Sequence, residues 1–269
     1  MEIIGYIAAI LIGVSLGMVG SGGSILTVPV LVYLMHVEPV LATTSSLFIV
    51  GCTSFVGALR AYAKKQVDFR AVTEFGLPSI FSIFMTRHYL LPSLPDTLFT
   101  IGKLTISKNI FLMLLFAVLM LLASVTMIRS HKEDAKAFVE EEARDQKIIP
   151  MVLLGLIIGM VTGLLGAGGG FLIIPTLVIF LKLPMKQAVG TSLLLVAINS
   201  LFGFLFSLKQ FEYNWTVILS FTCLAIAGIF IGSKIGDKVS GSSLKKYFGW
   251  FVVVMAVYII LQELVFRAY

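Results

Sequence analysis

Two runs of small residues are the parts of this chain best suited to chemistry. Gly20-Ser21-Gly22-Gly23-Ser24 and Gly166-Ala167-Gly168-Gly169-Gly170 each lie inside an apolar stretch. Glycines weaken a helix and leave polar backbone unpaired. In lipid such backbone is tolerated only where protein buries it or where it lines a wet cavity. Each run precedes a short apolar segment, so each is expected to open a new helix. Free N–H groups and the positive dipole end of a helix start attract anions, and glycine lets backbone approach them closely. The expected chemistry is the holding of a small oxyanion by backbone N–H groups. Ser21, Ser24 and Thr27 add hydroxyls to the first run; Ala167, Gly170 and Ile173 stand at those places in the second, so the site should be asymmetric.

Further polar groups follow at matched positions. Thr43-Thr44-Ser45-Ser46 corresponds to Val189-Gly190-Thr191-Ser192, Thr53 to Asn199 and Ser54 to Ser200. Ser46, Ser192 and Asn199 are read equally as helix–helix hydrogen-bonding groups and as substrate contacts. Thr43 and Thr44 are read as N-caps. The candidate binding set is Gly20, Ser21, Gly22, Gly23, Ser24, Thr27, Ser46, Gly166, Gly168, Gly169, Gly170, Thr191, Ser192 and Asn199. Arg87 and His88 are natural anion or proton handles, but at a span end they are expected to snorkel to the interface. His36 and His131 are expected to be solvated.

The elements that position these residues come in two copies. Ile12 to Gly57 repeats without a gap as Ile158 to Gly203, at an offset of 146 residues with about a third of positions identical. Eight apolar stretches have about the ~20 residues a span needs, near 3–20, 40–59, 71–91, 109–128, 148–166, 188–207, 215–233 and 247–266. Shorter ones, 25–35 and 171–181, follow each glycine run. Residues 1–128 thus form a first membrane repeat, 129–147 a polar linker and 148–269 a second repeat. Each repeat has five elements, the first two separated by glycine. An odd number turns the second repeat upside down relative to the first. The expected fold is an all-α polytopic membrane protein of two inverted-topology repeats, the mark of a secondary transporter.

Smaller features fit this frame. Gly13-xxx-Gly17, Gly159-xxx-Gly163 and Gly228-xxx-Gly232 read as close helix packing. Pro29 and Pro175 are expected to kink or shorten the element after each glycine run. Lys136, Glu140 and Arg144 suggest a surface helix in the linker. Residues 91–108 are an extra loop in the first half, read as a plain surface loop or as a gate or vestibule.

Composition excludes other classes. The chain is 58% hydrophobic and 13% charged, too apolar for a soluble domain. Its net charge of +6 is not a nucleic-acid signature. If the ten apolar elements alternate sides with the N-terminus outside, fifteen of the twenty Lys and Arg residues fall in inside loops. The positive-inside rule then puts both termini outside and the linker in the cytoplasm. Cys52 and Cys223 lack metal-ligand spacing and read as small buried residues. Gly13-Val14-Ser15-Leu16-Gly17 matches the nucleophile-elbow pattern, but it lies within an apolar helix with no Asp–His pair. No phosphate loop, zinc motif or dinucleotide fingerprint occurs. No catalytic residue, metal or cofactor is expected.

At these motifs the chain resembles the TauE/SafE family of sulfite exporters and related anion transporters. The resemblance covers nearly the whole length. It rests on the paired glycine runs with Pro29 and Pro175, on Ala42-Thr43-Thr44-Ser45-Ser46-Leu47 and Ala188-Val189-Gly190-Thr191-Ser192-Leu193, and on the loops at Asp68-Phe69 and Glu212-Tyr213. It implies a multi-pass inner-membrane permease for sulfite or an organosulfonate. The chain departs from the family pattern at Ser21, Ser24 and the loop after Leu91. The expected function is secondary transport of a small sulfur-containing anion, with that anion and the lipid bilayer as partners, no nucleic acid, and the oligomeric state left open. The alternatives are a non-transporting scaffold or accessory subunit and a passive anion channel.

Overall fold

The computed structural model describes residues 2–101, 104–129, 148–236 and 241–266. The helix expected within the linker lies outside the described residues. All ten apolar elements are helices. The first half holds α1 (Glu2–Val19), α2 (Thr27–Tyr33), α3 (Pro39–Ala63), α4 (Phe69–Met85) and α5 (Lys108–Arg129). The second holds α6 (Ile148–Leu165), α7 (Gly170–Phe180), α8 (Met185–Ser207), α9 (Trp215–Gly236) and α10 (Gly241–Leu261). Among the described residues four helices are long and apolar enough to cross a membrane: Pro39–Ala63, Lys108–Val125, Met185–Ser207 and Trp215–Ile235. In the other expected spans the apolar helix is shorter, covering Ile4–Met18, Ile149–Leu165 and Gly249–Leu264, and α4 has 17 residues. Large apolar side chains stand exposed on their outer faces, among them Leu11, Leu77, Phe81, Leu153, Leu219 and Val254. So much exposed apolar surface requires a lipid surround.

Local chemistry sets the helix ends. Pro39 opens α3, where its missing N–H costs nothing. Asp68 caps α4, its Oδ1 accepting from Ala71 N at 3.0 Å. A π-helical turn, Thr86–Leu90, continues α4. Pro29 lies in the first turn of α2 and Pro175 lies inside α7. The extra loop is a β-hairpin rather than plain coil. Strand β1 (Thr97–Ile101) pairs antiparallel with β2 (Leu104–Ser107), and Lys108 N donates to Asp96 O at its base.

The sequence repeat has a backbone counterpart at the same offset. Gly20 and Gly166 are both left-handed, at φ 76° and 68°, as are His36 and Lys182, at φ 54° and 51°. Val37 N donates to Leu31 O, and Leu183 N to Leu177 O. The glycine pairs read as packing devices do pack. Gly13 and Gly17 lie against the α9 backbone, Gly159 against Ser79 O on α4, and Gly228 and Gly232 against α1. The corresponding helices α3 and α8 lie side by side and antiparallel. Gly57 faces Leu193, while Gly203 faces Leu47.

Cys223, expected to be packed, is exposed on α9, and Cys52 is half-buried. An apolar surround suits a small thiol equally well, so a lipid-facing site carries no penalty for it. Ser15 of the elbow-like pattern donates to Ile12 O in its own helix, its one bond among the described residues.

Candidate functional site

The two glycine runs, 146 residues apart in sequence, meet. Ser24 Oγ lies within bonding distance of Ala167 O (2.7 Å) and of Ser21 O (2.8 Å). Ser21 Oγ donates to Ser192 Oγ at 2.7 Å and also lies 3.3 Å from Gly170 O. Gly170 sits against Ser21 with no room for a side chain. Ser46 Oγ donates to Gly166 O and lies 3.0 Å from Thr43 O. Two of these acceptors, Gly166 O and Ala167 O, lie in the break between α6 and α7, where backbone in lipid needs such partners. Ser21, Ser24, Ser46 and Ser192 are all wholly buried.

The two runs differ in backbone. The second behaves as expected: Gly168 and Gly169 are left-handed, at φ 70° and 68°, and α7 starts at Gly170 with Gly169 as its N-cap. The first does not open a separate helix. Gly20–Leu26 form a 3-10 helix that runs directly into α2, whose N-cap Leu26 is itself helical. The first run therefore opens no separate α-helix, and the expected helix start directly after the glycines is found in the second half.

Around the α7 start stand buried hydroxyls without a partner among the described residues. Thr162 Oγ1 and Ser200 Oγ are two of them, with Ser54, Thr27 and Ser207 elsewhere. A Cβ at Gly168 would lie 2.8 Å from Ser200 Oγ, and Gly169 leaves no room beside Thr162 Oγ1. Thr162 stands outside the candidate set, although a threonine in an apolar run one turn before the glycines is a visible signal.

Other candidates lie further out. Thr191 Oγ1 accepts from Asp68 N at 2.9 Å, and Gly190 packs on Gln66 O. Asn199 Nδ2 donates to Ser79 Oγ at 2.6 Å, a helix–helix bond, while its Oδ1 lacks a partner among the described residues. Thr43 and Thr44 are not N-caps, because α3 starts at Pro39 and the cap position is Glu38. Their hydroxyls bond back to Val40 O at 2.7 and 3.2 Å.

Arg87 and His88 part company. His88 is exposed and stacks on Phe84. Arg87 does not snorkel and is 0% exposed. Arg87 Nη1 donates to Thr44 Oγ1 at 2.8 Å, and Nη2 reaches Thr43 Oγ1 at 3.5 Å. Gln210 Nε2 donates to Arg87 O. Burial pushes the Tyr213 phenol, in the loop before α9, up to about 12 against the opposing charge of Arg87. That phenol is therefore a neutral donor, bonded to Ser207 O at 2.9 Å. Glu263, past the end of α10, is also wholly buried and accepts from Tyr33 Oη at 2.7 Å.

Beside the Arg87 cluster opens a cavity of about 750 Å³. Val40, Leu91 and Gln210 lie along it, and Asp96, Ser107 and Lys108 bring the foot of the β-hairpin into its wall. Among the described residues no group of His, Cys, Asp and Glu side chains is arranged to hold a metal.

The chain is similar to known membrane proteins. The family model described as sulfite exporter TauE/SafE matches residues 5–259. A probable membrane transporter protein of Xylella fastidiosa (strain Temecula1) is 29% identical, over 93% of this chain and 91% of that protein. One from Methanocaldococcus jannaschii is 27% identical over 94% of each chain, and one from Bacillus subtilis (strain 168) is 26% identical over 87% and 88%. No solved structure matches. The family match spans nearly the whole length of this helical membrane protein, which therefore belongs to the sulfite exporter TauE/SafE family.

Proposed function

We propose that this chain is a secondary transporter of a small sulfur-containing anion, of the sulfite or organosulfonate class, in the inner membrane. The carrying observation is the meeting of the two glycine runs, where Ser24 reaches Ala167 O and Ser21 reaches Ser192. In this reading the anion is held there, chiefly at the α7 start with Thr162 and Ser200. A site made of N–H and hydroxyl donors suits a small oxyanion and carries no carboxylate to repel it.

The two halves, 1–128 and 148–269, act as inverted repeats about the linker 129–147, with both termini outside. The antiparallel packing of α3 on α8 supports that relation, and the loop charges support the orientation. Contacts at both ends of the centre support a reading of alternating access. On one side Asp68 N holds Thr191, and Gly190 packs on Gln66. On the other, Arg87 holds Thr44, and Gln210 holds the Arg87 carbonyl. Opening one set while the other stays closed would expose the anion to one side at a time.

The test is uptake of radiolabelled sulfite into proteoliposomes that contain only this chain, with sulfate, thiosulfate, sulfoacetate and chloride as competitors. Saturable uptake, blocked by one sulfur anion, is expected. Flux that never saturates and never accumulates against a gradient would make the protein a channel. No flux from folded protein under any ion gradient would leave the accessory-subunit reading.

A further inference from the structure

We propose that Arg87, held just behind the Val40 and Gln210 wall of the 750 Å³ cavity, is the fixed positive charge of an anion subsite taking a small oxyanion with two or more free oxygens. The subsite deepens the transport reading and rests on it for the identity of the ligand. Arg87 is fully enclosed, yet among the described residues it makes no ion pair. A charge taken out of water is costly unless a counter-charge compensates it. Its partners here are neutral. The Thr43 and Thr44 hydroxyls accept from it while giving their own protons to Val40 O. Its Nε has no partner among the described residues. The Tyr213 phenol, which burial keeps protonated, is neutral as well. A guanidinium presents five donors in a rigid fork that matches two oxygens of a carboxylate or sulfonate-like group. The free donor edge and the missing counter-charge are met by one ligand of that kind.

The position connects cavity to centre. Val40 and Gln210 line the cavity and bond the Arg87 cluster directly. On the opposite side Gly166 packs against Thr43 O, and Ser46 bonds Gly166 O. Arg87 therefore stands between the cavity and the second glycine run. The cavity mouth carries the exposed carboxylates of Glu38 and Asp96 beside Lys108, so its rim is no basic funnel and the attracting charge lies deeper. Arg60 serves as an internal control. It is partly exposed, bonds Ser233 and stacks on Phe230, so its charge is already accommodated.

The experiment is thermal unfolding of the purified full-length chain in detergent, titrated separately with sulfite, sulfoacetate, sulfate and chloride. Wild type and R60Q should show a saturable rise in Tm with at least one oxyanion. In R87Q and R87M the midpoint should move up at least about tenfold, or the rise should vanish. R87M removes an uncompensated buried charge, so it should fold at least as well as wild type. Should neither neutral variant fold, R87K decides. It keeps the charge and loses the fork, and its midpoint should still rise. A wild-type midpoint in the neutral variants, or in R87K if they do not fold, overturns the proposal, as does a wild-type chain that no oxyanion stabilises. Oxyanion stabilisation that depends on Arg87, in a chain that carries no labelled sulfite in proteoliposomes, would sink the transport reading and leave the subsite standing.

Discussion

Ser21 Oγ donates to Ser192 Oγ at 2.7 Å, and this bond ties the glycine run of the first half to the central helix of the second. Both residues are wholly buried, so neither can turn to water for a replacement. Ser21→Ala and Ser192→Ala should each lower stability by about 1–2 kcal/mol. The double variant should cost less than the sum of the two, since both remove the same bond. A double-mutant cycle of denaturant unfolding in detergent measures this, and strict additivity would mean that the bond does not join the halves.

Gly20 and Gly166 share a left-handed backbone but not the same neighbours. At Gly20 an added Cβ would meet the Val189 side chain at 2.6 Å; at Gly166 it would meet the Thr43 backbone. A side-chain tip can move and a helix backbone cannot. Gly20→Ala should therefore cost about 1–2 kcal/mol, mostly backbone strain. Gly166→Ala should cost clearly more, with loss of folded protein on size exclusion an acceptable outcome. Equal Tm values for the two variants would contradict the packing described.

Thr162 separates fold from function. Its hydroxyl is buried beside Gly169 without a partner among the described residues. Thr162→Val keeps the shape and removes an unsatisfied group, so stability should hold or rise. If the hydroxyl binds the anion, KM for sulfite uptake should rise by about tenfold with protein levels unchanged. An unchanged KM would remove Thr162 from the site.

His36 and Lys182 occupy equivalent left-handed positions, at φ 54° and 51°. Both are exposed, and each would be relieved by glycine. His36→Gly and Lys182→Gly should each raise stability by up to about 1 kcal/mol, strain relief outweighing the entropy of a freer unfolded chain. Uptake should not change. A lowered Tm in either variant would mean that the side chain makes a contact worth more than the strain.

What sequence alone determined here is what depends on neighbours along the chain. Ten apolar runs became ten helices, because length and hydropathy decide helix formation in lipid locally. The 146-residue repeat became matching turns at Gly20 and Gly166, because each turn needs only its own glycine. The small-residue spacing of Gly13-xxx-Gly17 and Gly159-xxx-Gly163 became close helix contacts, because small residues at that spacing leave one flat face.

Tertiary structure decided the rest. These helices are apolar almost all round, and lipid and protein interior are equally apolar, so the pattern does not reveal which face is buried. Nothing local distinguishes Arg87, enclosed by Thr43 and Thr44, from exposed His88 beside it. Nor does composition tell that the first glycine run winds into a 3-10 helix while the second ends in a true helix start. Ser24 finds Ala167 O, and Ser46 finds Gly166 O, across more than a hundred residues of chain. Such bonds exist only once the two halves have packed, and it is the packed arrangement that brings the polar groups of the glycine runs together.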